Sequence, residues 1–318
     1  MHQSAEIDQA LSRRSVLQIA AASALVTFSA TQSKSSLAQQ PHAASPSIPQ
    51  IDCHLHCFAG SADVRFPYHS AAPYRPDASA TPQHLLDCMA GADISHAIVV
   101  HPEPYQDDHR YLEYCLKVGK GKLKGTSLVF ADSPGAVQQL TDLVKRMPIV
   151  ATRVHAYAPD RLPPFGSDAL RALWRCAAEL GIAVQLHFEP RYAIGFEPLI
   201  REFHDTPVII DHLGRPFQGT PAEHAVVIKW AEQKNTWMKI SSLPEATQYP
   251  HRDIGPVIRQ LTDAYGADRM LYGGGFNATA TAESYNAAFE RAASYLTHLS
   301  DPERGKIFCG NAKKLFFS

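Results

Sequence analysis

The amino-acid sequence predicts a (β/α)₈ barrel, and three observations support that prediction. From residue 51 onward, short apolar runs alternate with helical patterns. Eight such strand–helix units fill residues 51–318, close to the roughly 250 residues of a typical barrel of this kind. Histidines and other polar residues follow several runs, where such barrels carry their functional groups. A doubly wound open sheet is the alternative, but its glycine-rich fingerprint does not follow the first strand.

Each predicted element has a local justification. The apolar runs that predict strands are 51–56, 97–101, 124–130, 150–155, 182–187, 207–212, 237–241 and 270–273. The predicted helices lie near 82–91, 108–119, 134–146, 168–181, 195–204, 221–235, 252–266 and 283–299. Helix starts are predicted where a capping side chain precedes a proline, at Thr81, Ser133 and Thr220. Helix ends are predicted at Gly91, Gly181 and Gly266.

Composition places the chain among ordinary globular proteins. It has 318 residues, of which 45% are hydrophobic and 19% charged. The formal net charge of −1 provides no basic field for nucleic acid and no polybasic patch for anionic lipid. We therefore expect a small-molecule partner, with a homo-oligomer possible. Residues 51–318 are predicted to form one domain.

The first residues have the features of an export signal rather than of a fold. Ser12-Arg13-Arg14-Ser15 is a twin-arginine pattern, and an apolar run over 16–30 follows it. Small residues end this segment at Ala38. We expect residues 1–38 to be a Tat-type signal peptide, 39–50 a leader, and the mature protein to be periplasmic. The run is too short for a permanent membrane span, and folding before export predicts that all six cysteines are reduced.

The first predicted strand carries two histidines in an alternating position. Side chains two apart on a strand share a face, so His54 and His56 should point the same way. Two imidazoles on one face could hold a divalent metal, for which zinc is our first candidate. The alternative is a pair of hydrogen-bonded histidines at the end of a strand. In that case the protein could act without a metal. Other strand ends bear the polar residues His101, Glu103, Arg153, His155, His187, Glu189, Asp211, His212, Ser241 and Ser242.

Several of these motifs resemble the amidohydrolase superfamily, in its amidohydrolase-2 branch. The similar segments begin at Ile51, Gln185, Ile210, Lys239 and Cys309, in the family's order. The nearest sub-branch is that of 2-pyrone-4,6-dicarboxylate lactonases and sugar-lactone hydrolases. The resemblance implies that a histidine set binds a metal or orients the substrate. Its members here are His54, His56, His187 and His212, with His54, His56 and His187 as the metal ligands.

One position departs from the family pattern. The resemblance implies an Asp after the eighth strand that binds metal and deprotonates water, and Gly275 stands there. Glu189 is our first candidate for a replacement base, followed by Glu103 and Asp211. Asp211 should lie on the opposite strand face from His212, as a supporting hydrogen-bond partner. Two alternatives remain for the glycines: the backbone approaches a ligand closely at positive φ, or the segment is a plain turn.

Arginines near the histidines suit a carboxylate or an oxyanion. The predicted substrate-binding residues are Arg153, Arg215, His101, Tyr157, Gly275 and Asn277. The main hypothesis is an exported hydrolase of a small carboxylate-bearing lactone or related cyclic ester. A metal-dependent lyase or decarboxylase of the same fold is the second hypothesis, and a non-catalytic binder of a small organic acid is the third.

Overall fold

Eight parallel strands form the sheet of the computed structural model, each hydrogen-bonded to the next in chain order. The structure describes residues 49–157, 159, 161–244 and 252–318. The strands are β1 Gln50–Leu55, β2 Ile94–Val100, β3 Leu123–Leu128, β4 Ile149–Ala156, β5 Ala183–Phe188, β6 Val208–Ile210, β7 Thr236–Ile240 and β8 Met270–Tyr272. Helices alternate with them, so the (β/α)₈ barrel is confirmed. The predicted signal peptide lies outside the described residues, as does all of the predicted leader except its last two residues.

The helices also follow the predicted order. They are α1 Pro82–Gly91, α2 Arg110–Gly119, α3 Ala136–Arg146, α4 Asp168–Glu179, α5 Glu197–Glu202, α6 Pro221–Lys229, α7 Gly255–Tyr265, α8 Ala282–Ser294, α9 Asp301–Gly305 and α10 Asn311–Phe316. A π-helical turn, Lys306–Gly310, joins the last two. The described part of the chain contains no helix long and apolar enough to cross a membrane.

The capping predictions hold at two of three helix starts. Thr81 and Thr220 accept hydrogen bonds from backbone N–H groups of the first turns of α1 and α6. The prediction at Ser133 is wrong: α3 begins at Ala136, and Gly135 precedes it in the left-handed region at φ 76°. Gly135 has open space around it, so the chain can turn there before the helix begins.

The barrel interior is closed at its amino end by a small apolar cluster. Its members are Ile51, Cys53, Ile98, Ala151, Ala183, Ile209 and Leu271 from the strands, with Ala312 and Phe316 from α10. The larger core lies between the outer face of the sheet and the helices. All six cysteines are free and five of them are buried.

Contacts between β8 and β1 bring the two ends of the sheet together. The register of β1 shifts between Asp52 and Leu55, which marks a bulge in the strand. The Asp52 carboxylate accepts hydrogen bonds from the backbone N–H groups of His54 and Gly274, both at 2.8 Å, and from the Tyr285 hydroxyl of α8. A Cβ atom at Gly273 would lie 2.5 Å from the backbone nitrogen of His54, so only glycine lets β8 approach β1 this closely. The histidine-bearing end of β1 is thereby fixed against β8.

Candidate active site

A cavity of about 1190 Å³ opens at the carboxyl ends of the strands. Four imidazoles line it: His54 of β1, His56 directly after β1, His187 of β5 and His212 in the turn after β6. The ring of His54 lies 5.2 Å from that of His56 and 4.5 Å from that of His212, between centroids. The ring centroids of His187 and His212 lie 5.3 Å apart. The structure therefore brings together the four histidines that the sequence singled out.

The tautomer of His56 follows from its hydrogen bond. Its Nδ1 lies 2.7 Å from the carbonyl oxygen of Val100 on β2. A carbonyl oxygen only accepts, so Nδ1 carries the hydrogen and Nε2 keeps a free lone pair. Because the His56 side chain lines the cavity, this nitrogen can accept a proton from a bound molecule.

His212 is held by the turn that follows β6. His212, Leu213 and Arg215 all have φ between 53° and 57°, and Gly214 has φ 68°. The His212 Nδ1 lies 2.9 Å from the Ser241 hydroxyl, and its Nε2 lies 3.5 Å from a terminal nitrogen of Arg153. The guanidinium can only donate, which leaves Nδ1 as the protonated nitrogen. Four consecutive left-handed residues are costly, and such strain is characteristic of functional turns.

His187 differs from these in having no fixed tautomer. Both of its ring nitrogens are buried and have no hydrogen-bond partner among the described residues. Its ring packs edge-on against His155 at 4.9 Å and near Tyr157 at 5.0 Å. A buried unpaired polar group is expensive unless something else satisfies it. His187 is thus a natural partner for a polar atom of a ligand.

Burial keeps all four imidazoles neutral near neutral pH. It lowers the pKa of His54 to about 4, with Asp211 opposing the effect and Lys239 adding to it. Burial also lowers the pKa values of His56, His187 and His212 well below 6.5. The cavity therefore offers neutral nitrogens that can donate or accept hydrogen bonds, rather than cationic imidazolium groups.

Asp211 lies at the centre of the barrel, between two cations. Its Oδ2 accepts from Arg153 at 2.8 and 2.9 Å and from Gln185 at 2.9 Å. Its Oδ1 is 3.0 Å from the Lys239 ammonium and 3.4 Å from Nδ1 of His54. Burial opposes ionisation, yet Lys239 and Arg153 hold the Asp211 pKa well below its usual value.

This position corrects the expectation that Asp211 faces away from His212. Strand alternation applies only while the strand continues, and β6 ends at Ile210. The left-handed turn then lets Asp211 and His212 reach the same side. Sequence reasoning also overlooked Lys239, whose side chain is almost fully buried on β7. A lysine inside a buried strand is rare unless it is paired, and that was the available signal.

The histidine cluster contains one set of potential metal ligands. Among the described residues, ligand atoms of His54, Asp211 and His212 lie within 4.8 Å of one another. Two of the three predicted ligands, His56 and His187, are outside this set. Lys239 lies 3.0 Å from the carboxylate and 3.4 Å from His54, while Arg153 binds the other carboxylate oxygen. A divalent ion would have to share this space with two buried cations, so the charge arrangement does not fit one.

Two other predicted residues lie outside the cluster. Glu189 forms an ion pair with Arg191 at 2.5 Å and does not line the cavity, so it is poorly placed to act as the base. His101 stacks on His109 at 4.1 Å, its Nε2 lies 2.8 Å from the Gln106 carbonyl oxygen, and it does not line the cavity. These roles were inferred from strand ends alone, and the local turns direct both side chains elsewhere.

Asn277 lies in the cavity lining, but it is exposed, and its side-chain oxygen accepts from the backbone and hydroxyl of Thr279. Arg153 and Arg215 both line the cavity, as predicted for substrate binding. Burial and the charge of Arg153 lower the pKa of Arg215. Its Nε is buried without a partner among the described residues, which leaves it able to donate.

A second polar group surrounds Glu103 at one side of the cavity. Its carboxylate accepts from the Tyr157 hydroxyl and from Arg161 at 3.1 Å, and lies 3.2 Å from Nδ1 of His155. Burial would raise the Glu103 pKa, but these partners lower it to about 2. Glu103 is therefore a firmly ionised carboxylate, too acidic to serve as an effective general base at neutral pH.

Gly275 lines the cavity in a conformation that disfavours an aspartate. Its φ is 112°, and a Cβ atom there would lie 2.7 Å from the ring of Tyr285. The expectation of positive φ is thus met, but the glycine contacts α8 rather than leaving spare room on that side. Tyr285 itself is held by its hydrogen bond to Asp52. The carboxylate that the family pattern implies has no place in this arrangement.

Comparison with known proteins agrees with the fold. The family model described as amidohydrolase matches residues 51–317. The chain therefore belongs to this family and is an enzyme of the hydrolase class. None of the curated proteins compared with the chain matches it.

Solved structures share the fold at low sequence identity. A probable 2-pyrone-4,6-dicarboxylic acid hydrolase from Acinetobacter baumannii, with citric acid bound, is 22% identical with a TM-score of 0.67, covering 85% of this chain and 99% of that one. A putative enzyme of the same name from Pseudomonas putida is 22% identical with a TM-score of 0.68, covering 85% and 98%. An amidohydrolase from Burkholderia multivorans with bound zinc is 17% identical with a TM-score of 0.63, covering 85% and 99%.

Proposed function

We propose that this protein hydrolyses a small carboxylate-bearing lactone or related cyclic ester. The observation that carries the proposal is the convergence of four neutral imidazoles with Arg153 and Arg215 in one cavity. Ester hydrolysis needs a base for water and positive charge for the carbonyl oxygen, and these groups supply both. The name of the Acinetobacter structure, and the citric acid bound in it, are consistent with a tricarboxylate- or lactone-like ligand.

The charge of the cavity favours an anionic substrate. The described residues of its lining include Arg153, Arg161, Arg215 and Arg291 together with Asp77 and Glu103. Guanidinium groups bind carboxylates in a planar, two-pronged geometry, which suits an acid substituent on the ring.

In the proposed mechanism, His56 Nε2 removes a proton from water because its lone pair is free and its Nδ1 is fixed on Val100. Burial lowers the pKa of His56, and the negative charge of the bound substrate carboxylate raises it again when the site is occupied. The resulting hydroxide attacks the lactone carbonyl, and the electron pair moves to the carbonyl oxygen. Arg215 and Arg153 stabilise that oxyanion, with Lys239 adding positive potential from behind. When the ring C–O bond breaks, protonated His56 returns its proton to the leaving alkoxide. The product is the ring-opened hydroxy acid.

We further propose that this reaction proceeds without a divalent metal. At an effective dielectric constant near 20, two unit charges 4 Å apart repel by about 4 kcal/mol, and a divalent ion would double that figure against Lys239. The ammonium already occupies the position beside Asp211 and His54 that such an ion would take. Metal dependence is the alternative, since a relative of similar fold carries zinc in its structure.

The direct test is turnover of a panel of carboxylated γ- and δ-lactones by the purified mature protein. Release of acid, followed in weakly buffered solution, and detection of the ring-opened hydroxy acid by mass spectrometry would support hydrolysis. Carbon dioxide or an aldehyde among the products would identify a lyase instead. Tight binding of the acids without turnover would identify a binder.

Export is a separate part of the proposal. The twin-arginine pattern of residues 12–15 and the apolar run after it support a periplasmic enzyme. Replacing Arg13 and Arg14 together with lysine should retain the protein in the cytoplasm, as cell fractionation would show. Equal periplasmic yield of this variant and the natural sequence would refute a twin-arginine route.

A further inference from the structure

A second cavity of about 780 Å³ adjoins the first beside the ends of β3 and β4. Much of its described lining is apolar and includes Leu128, Val129, Phe130, Val154, Leu162 and Leu173. Its ionisable lining residues, within the part of the chain that the structure describes, are Glu103, Arg153, Arg161, His155 and Asp132. The first three of these also line the first cavity and so belong to the wall that the two cavities share.

The wall that the two cavities share contains an ion pair between Glu103 and Arg161. Glu103 is paired with Arg161 and hydrogen-bonded by Tyr157, so its negative charge is balanced. The side chain of Arg161 is 39% exposed, and long exposed side chains change rotamer readily. An uncharged substituent could therefore pass this wall without displacing a buried, unpaired ion.

The size of the cavities points to a substrate larger than a simple ring. Ligand pockets generally measure about 300–1,000 Å³ and already hold drug-sized molecules. The first cavity, at about 1190 Å³, exceeds that range before the second is added. A monocyclic lactone acid alone would leave much of this space to water.

We propose that the second cavity binds an apolar substituent of the substrate while the ester carbonyl lies among the histidines of the first. The substrates would then be lactone acids that carry an alkyl or aryl side chain, an assignment that rests on the proposed hydrolase function. An apolar group is stabilised when it leaves water for this second cavity (the chamber), roughly in proportion to the area buried.

The first experiment varies the side chain of a δ-lactone acid from methyl through butyl to hexyl. Burial of one methylene group corresponds to a factor of about four in binding. The group is remote from the reacting bond and contributes equally to ground and transition states, so KM should fall by about fourfold per methylene while kcat changes little. A KM that is independent of chain length would overturn the proposal.

The second experiment fills the chamber. Ala131→Trp adds an indole to its wall without touching the first cavity. Leu162→Trp is a second variant, at a position 36% exposed and hence tolerant of a larger side chain. Both should abolish the chain-length dependence and leave kinetics on the methyl substrate unchanged. Val137→Trp, on α3 and outside both cavities, is the matched control and should retain the dependence.

Binding of the ring-opened hydroxy acids, measured by calorimetry, separates this proposal from the proposed function. If no lactone is hydrolysed but affinity still rises with chain length in the natural protein and not in Ala131→Trp, the chamber is real and the function is wrong. If the methyl lactone is hydrolysed and neither KM nor affinity responds to chain length, the function stands and the chamber proposal fails. A dependence that survives both tryptophan variants would also refute the chamber.

Discussion

Replacing Lys239 with methionine tests the electrostatic centre of the site. The ammonium lies 3.0 Å from Asp211 and 3.4 Å from His54, inside the barrel. Removing one partner of a buried ion pair costs about 3–5 kcal/mol. Asp211 keeps two hydrogen bonds from Arg153 and one from Gln185, so we expect the lower figure, about 3 kcal/mol. In a domain of this size that lowers Tm by roughly 6–12 °C.

The assay is urea unfolding of Lys239→Met beside Lys145→Met, a change at an exposed position on α3 that should cost less than about 0.5 kcal/mol. The variant should also lose turnover, because positive potential near the oxyanion is removed. Its vacated cation position should bind zinc more tightly than the natural protein does, as calorimetry would show. Stability and turnover both equal to those of the natural protein would refute the role that we assign to Lys239.

Three further predictions concern the imidazoles and the glycine. In steady-state kinetics on one lactone, His56→Ala should lower kcat by about 10²–10⁴-fold. The control His204→Ala, at an exposed position, should leave kcat unchanged, and equal effects of the two changes would exclude His56 as the base. The pKa of His54 is about 4 in the folded protein against 6.5 in the unfolded chain, so the unfolded chain binds more protons between these values. The margin in unfolding free energy of the natural protein over His54→Asn should therefore be largest above pH 6.5 and shrink by about 3 kcal/mol as the pH drops to 4, in parallel urea unfolding series; a margin that does not change over this range would contradict the buried neutral imidazole. Gly275→Ala combines positive φ with a 2.7 Å contact and should lower the free energy of unfolding by about 2–3 kcal/mol. The control Gly121→Ala has open space at φ 85° and should lower it by about 1 kcal/mol. Equal losses of unfolding free energy would show that the contact is relieved elsewhere.

Much of the fold could be read from the sequence because local signals agreed. Apolar runs, capping threonines and terminal glycines all marked the same alternation of strands and helices. Ser133 failed as a cap because Gly135, two residues later, allowed a turn that a proline-based rule does not anticipate. Elements that depend on local chemistry were thus predictable, with errors of a few residues at their ends.

The site was less predictable because its geometry depends on turns beyond the strands. The alternation rule correctly grouped His54 with His56, but the rule fails after β6 ends, and there it misplaced Asp211. Glu189 shows the same limit, since its partner is Arg191 of the following turn. Lys239 went unrecognised because its role requires knowing which side chains meet at the barrel axis.

The chemistry assigned here requires that neutral imidazoles and fixed cations, rather than a bound metal, drive ester hydrolysis. The most direct measurement is kcat/KM on a hydrolysed lactone before and after exhaustive chelation, with zinc content determined on the same sample. We predict an unchanged kcat/KM in protein that carries much less than one zinc per chain. Loss of activity on chelation, restored in proportion to added zinc, would contradict this account.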